Sequence, residues 1–505
     1  MNSPKDSKLL VAFLLFVFAF VFLFYPTGLG VNVLIYALLL VSGARLLHRE
    51  KTYGPPDYLI QGGLLLSSVM LVLHHNMWSL FVLIMFGTCL IGQSVALSLS
   101  SVFHTYALGL SSFFLSYKKM FSSWSNFRVG RYSLKRVFRF AKVVFIPSFI
   151  ILMFLGLYSF ASPGFNSMLS EFSVVWNEIA SLLEALNPRF LSLLILAIII
   201  HTAFVYFRPN QWIKVSGEKG EDQLKRSRTG QMSKFNKPMD LLIEYRSGVY
   251  LLIVLNVLLA CVNYFDVVNV WFKFNWTGEY LREYVHQGTR ILLLSILISI
   301  IIVLYYFRGN LNFYKKNKKL KLLAKLWLMQ NALLCISVGV RTVQYVAHFN
   351  LAYRRIALFF FLILVLFAVV SVFIKINKAK SPFYLIRVNG WAWATVLIVS
   401  TFVDWNGFIA RYNLAHYKTA FVHFEYLSEM PNSTLDELQL TEEEVDSFRH
   451  NRVRPSEITR ERYMSTEEFK EIIDRRRDEF TNEWKSRSVL AWNYADYKAI
   501  KRLKR

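Results

Sequence analysis

Five polar side chains, Gln330, Ser337, Arg341, Gln344 and His348, fall at offsets 0, 7, 11, 14 and 18 in an otherwise apolar stretch. At about 100° per residue a helix gathers all five within about 60° of arc, as one polar stripe flanked by Asn331. A guanidinium in such a stretch demands a counter-charge or water, because an ion in hydrocarbon is costly. Carboxylates at the level of Arg341 are Asp266, Glu279, Glu283 and Asp404. The stripe reads in two ways. It is a structural ion pair that orients helices, or it lines an outward-open polar cavity for an anionic or polar ligand. In the second case Gln330 and Ser337 extend it toward the membrane centre as a transport path.

A membrane enzyme acting on a lipid-linked substrate would need an acid or base there, and Glu283, His286 and Asp404 are the residues able to serve. The chain holds no G-x-x-x-x-G-K-[ST], H-E-x-x-H, G-x-S-x-G or C-x-x-C pattern, which lowers the enzymatic class. Cys89, Cys261 and Cys335 lie in apolar runs at spacings that suit neither a disulfide framework nor a metal site. His74 and His75 have no third ligand nearby in sequence. Neither a metal nor a cofactor is expected.

The elements that must position these residues are membrane helices. Hydrophobic residues make up 55% of the 505, and the mean hydropathy is +0.37, above the usual share for a soluble domain. The runs predict an all-α polytopic membrane protein of about eleven transmembrane helices plus a C-terminal helical region outside the membrane. The spans are 9–25, 29–47, 58–73, 77–97, 143–161, 190–207, 247–265, 289–307, 322–346, 356–374 and 384–402. Ser98–Ser116, half apolar and rich in serine, reads as an interfacial helix. The segment 165–186, with three glutamates, reads as an amphipathic helix outside the membrane.

Charge sorts with these runs. Residues 1–402 hold 40 of the 58 Lys+Arg but 14 of the 33 Asp+Glu. Most of those 40 fall in alternate gaps: 1–8, 45–51, 118–142, 208–237, 308–325 and 375–380. This predicts a cytoplasmic N-terminus and, with an odd span number, an extracytoplasmic C-terminus. A soluble nucleic-acid-binding protein would not interleave its charge with apolar runs, so no nucleic-acid partner is expected. Membrane lipids are.

From 403 onward charge is dense and balanced, so the chain divides into a bundle at 1–402 and a helical region at 403–505. Helix-start signals recur at Ser433-x-x-Asp436, Thr441-x-x-Glu444 and Ser465-x-x-Glu468. Phe469, Ile472, Ile473, Phe480 and Trp484 follow at near-helical period. Lys498–Arg505 reads as a solvated tail or a contact for anionic headgroups. A protein partner through this region is possible.

Three stretches carry a resemblance. Tyr284-Val-His-Gln-Gly288 precedes a span. Val340-Arg341-Thr-Val-Gln-Tyr345 is followed by Asn350-Leu-Ala-Tyr-Arg-Arg355. Asp404-Trp-Asn-Gly-Phe-Ile-Ala-Arg411-Tyr412-Asn413 follows the last span, and Trp484–Asn493 closes the series. Together they resemble the bacterial multi-pass membrane family of the domain-of-unknown-function 4153/4173 type, over roughly residues 240–505. Asn350-Leu351-Ala352 replaces that pattern's Gly-Leu-Thr, and Asp404 stands where it has Asn. The resemblance implies a polytopic fold in the bacterial inner membrane and nothing enzymatic. It singles out Arg341, Tyr345, Arg355, Arg411, Tyr412 and Asn413, and makes Asp404 the expected partner of Arg341. The resulting expectation is a non-enzymatic envelope protein that senses, binds or scaffolds at its outer face, with a transporter or a membrane enzyme as alternatives.

Overall fold

The computed structural model describes residues 4–25, 27–94, 98–125, 128–129, 132–133, 151, 155, 187–226, 241–272, 280–451 and 464–504. The side chains of 4–5, 125, 128–129, 132–133, 280–287, 449 and 451 lie outside that description. The predicted span 143–161 apart from residues 151 and 155, the helix 165–186 and Glu279 fall outside the described residues.

The chain is an all-α polytopic membrane protein. Its membrane helices are α1 (Pro4–Phe24), α2 (Val31–Leu47), α3 (Pro55–His74), α4 (Met77–Gly92), α6 (Pro188–Val205), α8 (Leu241–Asp266), α9 (Tyr280–Tyr306), α10 (Lys318–Phe349), α11 (Tyr353–Lys378) and α12 (Pro382–Ser400). Among the described residues eight of these are long and apolar enough to cross a membrane, and α2 and α4 are shorter apolar helices. Local chemistry sets the boundaries. Pro55 opens α3 behind Gly54, and the chain leaves it through left-handed His75. Asn76 then caps α4 by accepting from the Ser79 amide. Ser381 caps α12 with Pro382 at its first position.

Two apolar cores result. One joins Phe13, Tyr36, Leu64, Phe86, Leu108 and Phe204 from α1–α6, and Ala394 and Leu397 of α12 complete it. The other joins Leu252, Ile296, Leu328, Val338 and Val369 from α8–α11, and Leu385 of α12 packs against it.

The lysine- and arginine-rich gaps meet at one end. There Asp6 accepts from Ser123, Lys119 donates to the Phe207 carbonyl, Arg387 pairs with Asp222, Lys375 donates to the Phe307 carbonyl, and Arg308 pairs with Glu244. The segment 98–116, expected as an interfacial helix, falls for the most part in the helix α5 (Val102–Ser125). His104 near its start meets Ser216 beyond α6, and Ser123 near its close meets Asp6 of α1, so both of its ends lie at this basic end. Gln211–Glu218 forms the short α7 beside it.

At the opposite end the C-terminal helices dock: α13 (Trp405–Ala415), α14 (Phe424–Ser428), α15 (Leu435–Leu438), α16 (Glu442–Asn451), α17 (Thr466–Ser486) and α18 (Tyr494–Leu503). Their core of Phe424, Leu438, Phe448, Phe469, Phe480 and Ile500 is continuous with Val346, Leu351 and Ile356 from the α10–α11 turn. Trp492 accepts from the Val31 amide, and a Cβ at Gly30 would lie 2.4 Å from the Ala491 carbonyl carbon. Lys498–Arg505 is therefore no free tail over the described residues. Ala499 and Ile500 are buried, and Arg502 pairs with Asp436 and Glu437.

Candidate functional site

The polar stripe of α10 faces α8, which runs parallel to it from the basic end. Asn256, Asn263 and Asp266 occupy offsets 0, 7 and 10 on α8, within about 80° of arc. They meet the stripe level by level. Gln330 Nε2 donates to Asn256 Oδ1 at 2.8 Å, and Asn263 Nδ2 donates to the Gln330 carbonyl at 3.1 Å. Both Ser337 and Arg341 donate to the Asp266 carboxylate, and Trp271 Nε1 reaches Ser337 Oγ at 3.2 Å. Beyond Asp266 the helix loosens into a π-turn, Val267–Phe272. Such a turn presents backbone groups sideways, and here the Val270 carbonyl accepts from Gln344 Nε2. His348 Nδ1 lies 2.8 Å from the Gln344 carbonyl.

Arg341 is thus held by Asp266, and the expectation of Asp404 is corrected. Side-chain exposure of the pair is 6% and 7%. Asp404 instead begins α13, where its carboxylate accepts from the Gly407 amide. A helix start offers unpaired amides to a nearby carboxylate, and Asp266 already lies beside Arg341. The guanidinium also approaches α9, since a Cβ at Gly288 would stand 3.4 Å from Arg341 Nη1. Glu283 lies on α9 with its side chain outside the described residues.

The other singled-out residues separate into two places. Asn413 staples the α10–α11 turn, accepting from the Leu351 amide at 2.8 Å and donating to the Leu351 carbonyl at 2.9 Å. Arg355 serves the same turn, donating to the Phe349 carbonyl and lying 4.6 Å over the Tyr345 ring. Tyr412 stacks on His416 with centroids 4.1 Å apart. Arg411 turns toward the C-terminal helices, pairing with Glu437 at 2.8 Å.

Beside Arg411 lies a recess of about 200 Å³ between the bundle and the C-terminal helices. His74, Asp404 and Gly407 line it from one side, and Ser433, Asp436 and Lys498 from the other. Gly407 leaves room that no side chain allows: a Cβ would lie 2.7 Å from Asp404 Oδ2 and 3.1 Å from Arg411 Nη1. Ser433-x-x-Asp436 looks like a capping box and is not one. Thr434 precedes α15 without a side-chain cap, and Arg502 draws the Asp436 carboxylate away at 3.0 Å. The other two signals do cap, Thr441 with Glu444 and Ser465 with Glu468. The Asp436 side chain is 5% exposed, yet its Oδ1, like Ser433 Oγ, has no hydrogen-bond partner among the described residues. Burial pushes the Asp436 carboxyl above its usual range.

The residues missed in the sequence are therefore Asn256, Asn263, Ser433 and Asp436. The seven-residue repeat of asparagine on α8 was the available signal for the first two. A groove of about 630 Å³ on the outside of the α8–α10 seam is lined by Asn256, Asn263 and Gln330 among apolar residues. Among the described residues no group of three or more His, Cys, Asp or Glu could hold a metal ion.

The model of one protein family, described as a domain of unknown function (DUF4153), matches residues 62–439. The match begins far upstream of the 240–505 region where the motifs cluster, and it stops before the closing Trp484–Asn493 stretch. No curated protein and no solved structure matches the chain.

Proposed function

The chain belongs to the DUF4153 family, and from that premise we propose that this integral membrane protein is a non-enzymatic binding or sensing protein of the bacterial envelope. Its site is the recess between Leu73 and His74 of the bundle and Asp404, Gly407, Ser433 and Asp436 of residues 403–505, and the latter region acts as the element that closes it. The observation that carries this reading is a buried carboxylate oxygen and a buried hydroxyl without hydrogen-bond partners among the described residues, both in one recess. Native interiors rarely leave such groups unpaired. A small ligand that donates hydrogen bonds, an amine or a polyol, would satisfy both. Because bundle and C-terminal helices each supply part of the lining, its binding would favour the docked arrangement of the two.

The positive-inside rule supports a cytoplasmic basic end and an extracytoplasmic recess. The inner-membrane location rests on the family resemblance. A C-terminal region with its own core also supports a scaffold for a protein partner, built from the same helices.

The test is thermal unfolding of the full chain in lipid nanodiscs with ethanolamine as the donor probe and acetate as the acceptor-only control. Ethanolamine should raise the melting temperature of the wild type with a saturable dependence, and should not do so in Asp436→Asn. Equal responses to ethanolamine and acetate, or an unchanged response in Asp436→Asn, would sink the assignment.

One observation favours transport as a second reading: the side groove at Asn256, Asn263 and Gln330. That reading requires the Arg341–Asp266 pair to open, and the energetic coupling between the two residues measures how firmly it is closed.

A further inference from the structure

A second recess, of about 450 Å³, lies at the basic end where α1, α5 and the segment after α6 converge. Lys118, Lys119, Arg208 and Ser122 line it, and Leu9 and Phe207 supply an apolar wall. One carboxylate, that of Asp6, belongs to the lining and accepts from Ser123 Oγ at 2.8 Å. Three cations against one carboxylate leave a net positive concavity. Its level is set by the helices around it: α6 stops at Val205, and α5 has both ends at this end of the bundle.

Helix α5 carries a second sign of where this recess sits. Leu110, Phe114 and Phe121 are exposed and fall at offsets 0, 4 and 11, within about 40° of arc. Lys118 lies about 60° from the middle of that stripe on the same helix. A helix with an exposed apolar stripe beside basic residues lies in the plane of the membrane interface, its rings among acyl chains and its cations at headgroup level. Basic recesses between membrane helices on this side suit anionic headgroups.

We propose that this recess binds the phosphate of an anionic phospholipid, with Lys118 and Arg208 as its principal cations and the acyl chains along the Phe114–Phe121 face of α5. Lys119 shares the electrostatic field while its ammonium caps the Phe207 carbonyl at 3.2 Å.

The experiment measures retention of short-chain phosphatidylglycerol on the full chain in neutral micelles by native mass spectrometry. Lys118→Gln with Arg208→Gln should weaken retention about thirtyfold, at about fivefold per basic residue. Arg208→Gln alone should weaken it about fivefold, and reads the same quantity should the double variant not fold. Lys315→Gln with Lys316→Gln, at the same end but away from the recess, should leave retention within about twofold. Unchanged retention in the Lys118 and Arg208 variants would overturn the proposal, as would equal retention of phosphatidylcholine. Displacement of the lipid by equimolar inorganic phosphate would assign the recess to a soluble anion and overturn the lipid.

Discussion

The Arg341–Asp266 pair allows a quantitative test of how the second half of the bundle is held. Both side chains are more than nine-tenths buried, and Asp266 also receives the Ser337 hydroxyl. Arg341→Met leaves a buried carboxylate with one neutral donor. Asp266→Leu leaves a buried guanidinium facing α9. Breaking one side of a buried pair costs about 3–5 kcal/mol, because the surviving charge stays desolvated. Removing both charges is far milder. The double variant loses the pair's attraction together with its desolvation, and leaves the Ser337 O–H without its Asp266 acceptor at about 1–3 kcal/mol. The expected coupling is therefore about 3 kcal/mol or more, with the double variant more stable than either single one. Reversible unfolding of the full chain in mixed micelles, followed by circular dichroism, measures all four corners of the cycle. Additive losses, with coupling below about 1 kcal/mol, would refute the reasoning. Arg341 would then be solvated independently of Asp266, as a water-filled path requires.

Two further outcomes follow from the recess and the docked C-terminal helices. Burial raises the Asp436 carboxyl above its unfolded value, so the folded state binds the proton more tightly and loses stability as pH rises from about 3.9 through the raised value. Asp436→Asn should flatten that slope in thermal unfolding across the acidic range, and an identical slope in the variant would contradict the burial argument. Val489 is 84% exposed beside the docked α18. Val489→Cys should react with a membrane-impermeant maleimide in intact cells from the extracytoplasmic side, and labelling only after lysis would reverse the proposed orientation.

Much of this architecture was legible because hydrocarbon imposes a simple rule: long apolar runs become helices, and their charged gaps gather at the ends. The stripe on α10 was legible for the same reason, since helical period alone places Gln330, Ser337 and Arg341 on one face. Its partner was not. Asp266 and Asp404 stand at similar depth on the linear map, and only packing decides which helix lies beside α10. Asn256 stands among apolar neighbours in the linear sequence, and Asn263 repeats it two turns on. The Ser433–Asp436 misreading has a different origin. A capping box is a local pattern, and Arg502, 66 residues beyond Asp436, overrides it with a charge that no local window contains. The match of the family over 62–439 likewise reaches helices whose individual sequences read as generic spans.

The contact between Trp492 and the α1–α2 turn has a consequence for biosynthesis. The turn at Gly30–Val31 is synthesised well before Trp492, yet its amide is satisfied by the Trp492 carbonyl. Until then the first hairpin sits in the membrane with an open seam at its tip. The contact is in that sense a clasp, fastened between an early segment of the chain and one made long after it.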